Sequence, residues 1–131
     1  MAGTRNGTMN GMSTVTVNAE GLGQVEVPQG ERLVLALERL GTGILHRCGG
    51  QARCTTCQVE FIAGEPQQMT QAERDKLEEK GLLGQSRLSC QIECRADVTV
   101  RVLQTEASTG LAAGKAPAPT IEPEPQWVQQ Q

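Results

Sequence analysis

The order of patterned segments in this 131-residue chain predicts an α+β fold. Three observations carry that reading: two alternating stretches joined across a glycine break, two helix-like stretches that each end at glycine, and further alternating stretches late in the chain. Strand, strand, helix, glycine-rich loop, strand, helix and closing strand is an order that fits a β-grasp. That architecture is a mixed sheet with one main crossing helix and a second short helix.

Each element has its own justification. Thr14-Val-Thr-Val-Asn-Ala19 places Val15, Val17 and Ala19 on one face, Gly21-Leu-Gly23 breaks the pattern, and Gln24-Val-Glu-Val27 resumes it. Period-two alternation on both sides of a turn predicts a hairpin with one buried face. After Pro28-Gln-Gly30, the segment 31–40 spaces Leu33, Leu37 and Leu40 as i, i+4 and i+7, with Gly41 as a stop, so it reads as the helix that packs across the sheet. Gln58-Val-Glu-Phe-Ile62 is a strand, and Gly64-Glu-Pro66 turns the chain. Thr70-Gln-Ala-Glu73 is a capping-box signature for a second helix reaching about Lys80, with Gly81 at the C-cap and Leu82 and Leu83 docking its end. Val98, Val100 and Val102 alternate in the closing strand.

Composition sets the boundaries. Residues 1–13 are too polar for a signal-peptide core and read as a flexible leader, 14–104 as the folded domain, and 105–131 as a Pro/Ala/Gln-rich tail. A tail of that composition, with Pro117, Pro119, Pro123 and Pro125, is predicted not to order itself. The alternative makes Trp127 and Val128 a small docking element, on this domain's own surface or on a partner. With one Phe, one Trp and no Tyr, the core must come from Val, Leu and Ile. A net charge of −3 gives no electrostatic footprint for nucleic acid, and there is no 18-residue apolar run. Five cysteines without an export signal point to a reducing, cytoplasmic setting; a monomer is expected.

The chemistry concentrates in Cys48-Gly-Gly-Gln-Ala-Arg-Cys54-Thr-Thr-Cys57, with a distant cysteine in Arg87-Leu-Ser-Cys-Gln-Ile92. A C-x5-C-x2-C triplet plus a lone fourth thiol is best read as the ligand set of a 2Fe-2S cluster. Zinc modules usually present two short pairs, so a zinc-stapled structural or interaction module is the alternative. Glycine at 49 and 50 lets a loop turn N–H groups towards sulfur, and the hydroxyls of Thr55 and Thr56 can add donors. Two ferric ions, two sulfides and four thiolates sum to a dianion. Arg47, Arg53 and Arg87, each beside a cysteine in sequence, are the candidates to offset it.

The spacing, the words Cys48-Gly-Gly and Arg87-Leu-Ser-Cys-Gln-Ile92, and Asp97-Val-Thr-Val-Arg-Val102 resemble the adrenodoxin-like and bacterial branch of the 2Fe-2S ferredoxins over roughly residues 14–104. The resemblance implies the β-grasp 2Fe-2S ferredoxin fold and a one-electron carrier, not an enzyme. It implies Cys48, Cys54, Cys57 and Cys90 as cluster ligands. It also implies transient complexes with a flavin-dependent ferredoxin reductase and with an acceptor such as a P450, another oxygenase or an iron-sulfur assembly system. Cys94 is read as a non-ligand thiol, His46 as a partly exposed side chain near the loop, and Met69 as packing. Glu73, Asp75, Glu78 and Glu79 on the second helix are candidate partner contacts, set against a plain solvated helix face. No glycine-rich phosphate loop and no nucleophile with a base are present.

Overall fold

A computed structural model describes residues 13–52, 55–114 and 116–129. The leader read at 1–13 lies outside the described residues apart from Ser13, as do Arg53 and Cys54. In chain order the elements are β1 (Thr14–Ala19), β2 (Gly23–Pro28), α1 (Leu33–Arg39), β3 (Gln58–Ala63), β4 (Gln68–Thr70), α2 (Gln71–Glu79), β5 (Arg87–Leu88), a single 3-10 turn (Ser89–Gln91), β6 (Val98–Val102), α3 (Glu106–Thr109) and β7 (Trp127–Gln129).

The main sheet runs β2-β1-β6-β3-β5. The β1–β2 hairpin pairs Val15 with Val27 and Val17 with Val25, as the alternation predicts. β1 then lies parallel to β6, with Val17 opposite Val98 and Ala19 opposite Val100. β3 is antiparallel to both β6 and β5. The apolar faces of these strands meet Leu33, Val34, Ala36 and Leu37 of α1 in one core built almost wholly from aliphatic side chains. Burial of each such Val or Leu is worth about 1.5–3 kcal/mol.

Helix α1 starts two residues later than the sequence pattern suggests. Arg32 is extended (φ −64°, ψ 136°) and occupies the N-cap position without making a side-chain cap. Its side chain is committed elsewhere.

In α2 the Thr70 hydroxyl oxygen accepts from the Glu73 N–H at 3.0 Å, but Glu73 does not return the bond. Its carboxylate turns inward and accepts from Arg87 Nε at 2.7 Å, Arg87 Nη2 at 3.1 Å and the Leu88 N–H at 2.8 Å. Both side chains are buried, at 0% and 3% exposure. Burial pushes the Glu73 carboxyl upward and the Arg87 guanidinium opposes it. Glu73 is therefore not a surface contact for a partner; Asp75, Glu78 and Glu79 are exposed. Arg87 also donates to the carbonyls of Pro66 and Gln68, so one side chain fastens β5 to the β4–α2 corner just ahead of Cys90.

The unstructured tail expected from composition is corrected. Beyond β6 the chain runs back along residues 43–46: Glu106 N–H donates to Gly43 O, Leu45 N–H to Gln104 O and His46 N–H to Ala113 O. Pro117 and Ile121 are buried, and β7 pairs with β4, setting Trp127 opposite Thr70 and Val128 opposite Met69. Trp127 and Val128 thus rest on the domain's own surface.

Breaking a buried ion pair from one side leaves an uncompensated charge, at a cost of about 3–5 kcal/mol. Glu73→Gln is expected to lower unfolding stability by that order in chemical denaturation, whereas Asp75→Asn on the exposed face should change it by less than about 0.5 kcal/mol.

Candidate metal centre

The loop after Leu45 is shaped by backbone conformations that most residues avoid. Gly49 and Gly50 have φ of 77° and 80°, and Ala52 adopts φ 60°. A Cβ on Gly50 would come within 2.8 Å of Arg32 Nη2 and 2.9 Å of Pro117 Cβ, so the position has no room for a side chain. These turns aim N–H groups at sulfur. Gln51 N–H donates to Cys48 Sγ at 3.3 Å, and the Ala52 N–H reaches Cys90.

Cys57, at the end of the loop, and Cys90, in the 3-10 turn, lie far apart in sequence yet bring their thiols within hydrogen-bonding reach. Ser89 joins the two segments: its N–H and its hydroxyl both donate to Cys57 O, at 3.1 and 2.8 Å. The Cys57 thiol is pushed well above its ordinary range by its bond to Cys90 and then by burial, while accepting that bond lowers Cys90. Cys48 stands near enough to act on Cys90 electrostatically. Among the described residues no three His, Cys, Asp or Glu side chains form a finished metal-binding group; Cys54, the middle cysteine of the triplet, lies outside them.

The cation beside these sulfurs is not one that sequence adjacency suggests. Arg87 is spent on Glu73, Arg47 donates to Ala112 O at 2.7 Å, and Arg53 lies outside the described residues. Arg32 takes the place instead, at 1% exposure. Its Nε and Nη2 donate to Cys90 O at 3.1 and 2.6 Å, Nη2 to Gly50 O at 2.7 Å, and Nη1 to Ala118 O and Thr120 O at 2.7 and 3.0 Å. All five N–H donors are satisfied, every one by a neutral carbonyl. Burial lowers its pKa, opposed by its charge interactions with Cys90, Cys57 and Glu122. Inward N–H groups, converging thiols and a buried guanidinium suit a sulfur-rich anion, so the residues present fit a 2Fe-2S group.

Other expectations resolve as follows. His46 is not partly exposed: it is buried, and its Nε2 meets Glu38 Oε2 at 2.8 Å. The Thr56 hydroxyl oxygen accepts from Arg47 N–H at 3.0 Å, so it serves the loop backbone. Met69 is fully buried, and Cys94 is buried with its N–H on Glu31 O at 2.8 Å.

A β-grasp that gathers thiols from a glycine-rich loop and a distant turn beside a buried cation is the build of a small iron-sulfur protein. The chain belongs to the 2Fe-2S iron-sulfur cluster binding domain family, whose model matches residues 15–95. It is 38% identical to rhodocoxin of Rhodococcus erythropolis over 95 residues, covering 66% of this chain and 89% of that protein. An ISC-like 2Fe-2S ferredoxin from Pseudomonas putida is 30% identical, with a TM-score of 0.50 over 70% of this chain and 93% of that one. The ferredoxin reductase in carbazole 1,9a-dioxygenase shares the fold, with a TM-score of 0.57 at 17% identity over 74% of this chain. The chain spans only 30% of that reductase. It likewise spans 22% of a component of the Na(+)-translocating NADH-quinone reductase of Pseudoalteromonas atlantica, which it matches at 26% identity over 92 residues. The cofactor is therefore a 2Fe-2S cluster rather than zinc, and the domain is of the electron-carrying ferredoxin type.

Cys94 supplies a pH prediction. Burial, with Glu31 nearby, pushes its thiol up to about 12. Unfolded, the thiol ionises near its ordinary value, so the folded state holds a proton that the unfolded state releases. This contribution is intact below about pH 8.5 and is lost as pH rises towards 12, at up to about 1.4 kcal/mol per unit. Melting curves between pH 8 and pH 11 should show a shallower alkaline loss for Cys94→Ala than for the parent.

Proposed function

We propose that Cys48, Cys54, Cys57 and Cys90 hold the cluster, and that the protein carries single electrons from a flavin-dependent ferredoxin reductase to an acceptor such as a P450, another oxygenase or an iron-sulfur assembly system. The observation that carries the ligand reading is the meeting of the Cys57 and Cys90 thiols, with Ser89 clamping Cys57 O and backbone N–H groups directed at Cys48 and Cys90. The bound cluster supplies reversible one-electron chemistry. The chain's own residues hold it still: β3 follows Cys57 directly, and the Arg87–Glu73 pair fixes the approach to Cys90. A ligand set seated on regular structure suits electron transfer, because little has to move.

The partner reading draws on the rhodocoxin and ferredoxin-reductase likenesses. Asp75, Glu78 and Glu79 form the exposed acidic side of α2 that a basic partner would meet, although Lys76 already pairs with Glu79 at 3.1 Å. Net charge of −3 limits long-range steering to a modest effect on association rate. We place the carrier in the cytoplasm as a monomer, with 14–104 as the ferredoxin body. Among the described residues no helix is long and apolar enough to cross a membrane.

Anaerobically purified protein is expected to show broad visible sulfur-to-iron bands that partly bleach with dithionite and return in air. Serine at Cys48, Cys54, Cys57 or Cys90 should abolish or severely weaken them, and Cys94→Ser should leave them intact. Bleaching by Cys94→Ser but not Cys90→Ser would overturn the ligand assignment.

A further inference from the structure

We propose that Arg32, kept dry by the carbonyls of Ala118 and Thr120, sets the electron affinity of the centre, so that the C-terminal segment is a potential-setting cover. The inference rests on the ligand reading above. Arg32 is positive, buried and close to Cys57 and Cys90, and the acceptors in its hydrogen-bond set are all neutral. The centre goes from a dianion to a trianion when it takes an electron from a reductant. A nearby cation in a low-dielectric site favours the more negative state, and water at the same place would screen it.

The cover's geometry fits this role. The stretch bends at 119–120 and again at 122–123, and so turns three of its carbonyls inward. Those of Ala118 and Thr120 accept from Arg32, and that of Glu122 accepts from Gln91 Nε2 at 2.7 Å. The Gln91 amide also lies 3.7 Å from Cys90 Sγ, and its Oε1 accepts from Thr70 Oγ1 at 2.6 Å. One short stretch therefore orients two donors beside the same cysteine. Pro117 against Gly50, buried Ile121 and the β4–β7 pairing hold the stretch down. Glu122, itself exposed, is the carboxylate that acts on Arg32, through charge and not through a hydrogen bond.

The test is a mediated redox titration of the full-length holoprotein, followed by its visible bands. Arg32→Gln is expected to keep the bands and weaken electron affinity about tenfold, a shift of ~59 mV to more negative potential for a one-electron couple. Arg32→Lys, which keeps the charge, should stay within about a third of that shift. Ile121→Asp lifts the cover without touching Arg32, and in that background the effect of Arg32→Gln should fall by at least half. An unchanged potential in Arg32→Gln overturns the proposal, as do equal shifts for Gln and Lys. The same Arg32→Gln shift with and without Ile121→Asp removes the cover from it, and loss of the bands in both Arg32 variants assigns the residue to folding alone. A parent protein without the bands would instead count against the ligand reading.

Discussion

A guanidinium that is 1% exposed and bonded only to carbonyls carries a full charge into the interior. Such a charge is costly unless an anion lies close by. Much of the local structure follows from keeping Arg32 there. Its side chain is withdrawn from capping α1, residue 50 must lack a Cβ, and the chain beyond residue 110 has to come back and supply oxygens. The cysteine-ligated anion and the buried cation justify each other. Either alone would be a defect of the interior.

Glu73 and Arg87 show the other way to bury a charge. There the guanidinium meets carboxylates directly, Glu73 at 2.7 and 3.1 Å and Glu65 at 3.4 Å, so its charge is compensated on the spot. Its work is mechanical, fixing β5 so that the 3-10 turn presents Cys90. Two buried arginines flank one ligand, one of them locking and the other charging.

The hairpin, the crossing helix, β3 and β6 were legible because alternation and i, i+4 spacing report burial directly, and the cysteine words pointed to the right family. What was not legible has a common cause. Glu73 and Arg87 look like surface charges because nothing local states that they face each other across 14 residues. Adjacency to cysteines favoured Arg47 and Arg87, whereas the arginine beside Cys90 in space is 58 residues away in sequence. One signal was available: an arginine opening the apolar run Leu33-Val-Leu-Ala-Leu37, where Ser, Thr, Asp or Asn would cap better, is a local conflict of the kind that marks a second duty. The C-terminal stretch misled for another reason. Composition reports what side chains can bury, and this stretch contributes mainly backbone oxygens, which any sequence possesses.

The span from Arg32 to Thr120 covers 88 residues, and β1 lies beside β6, so the site joins the early part of the chain to a late one. During synthesis the cysteines leave the ribosome well before the oxygens that finish Arg32's coordination. Until the later segment is in place, two of the five hydrogen bonds of the Arg32 guanidinium are missing. Residues 117–122 thus act as a keystone, closing over a site that the first half of the chain begins.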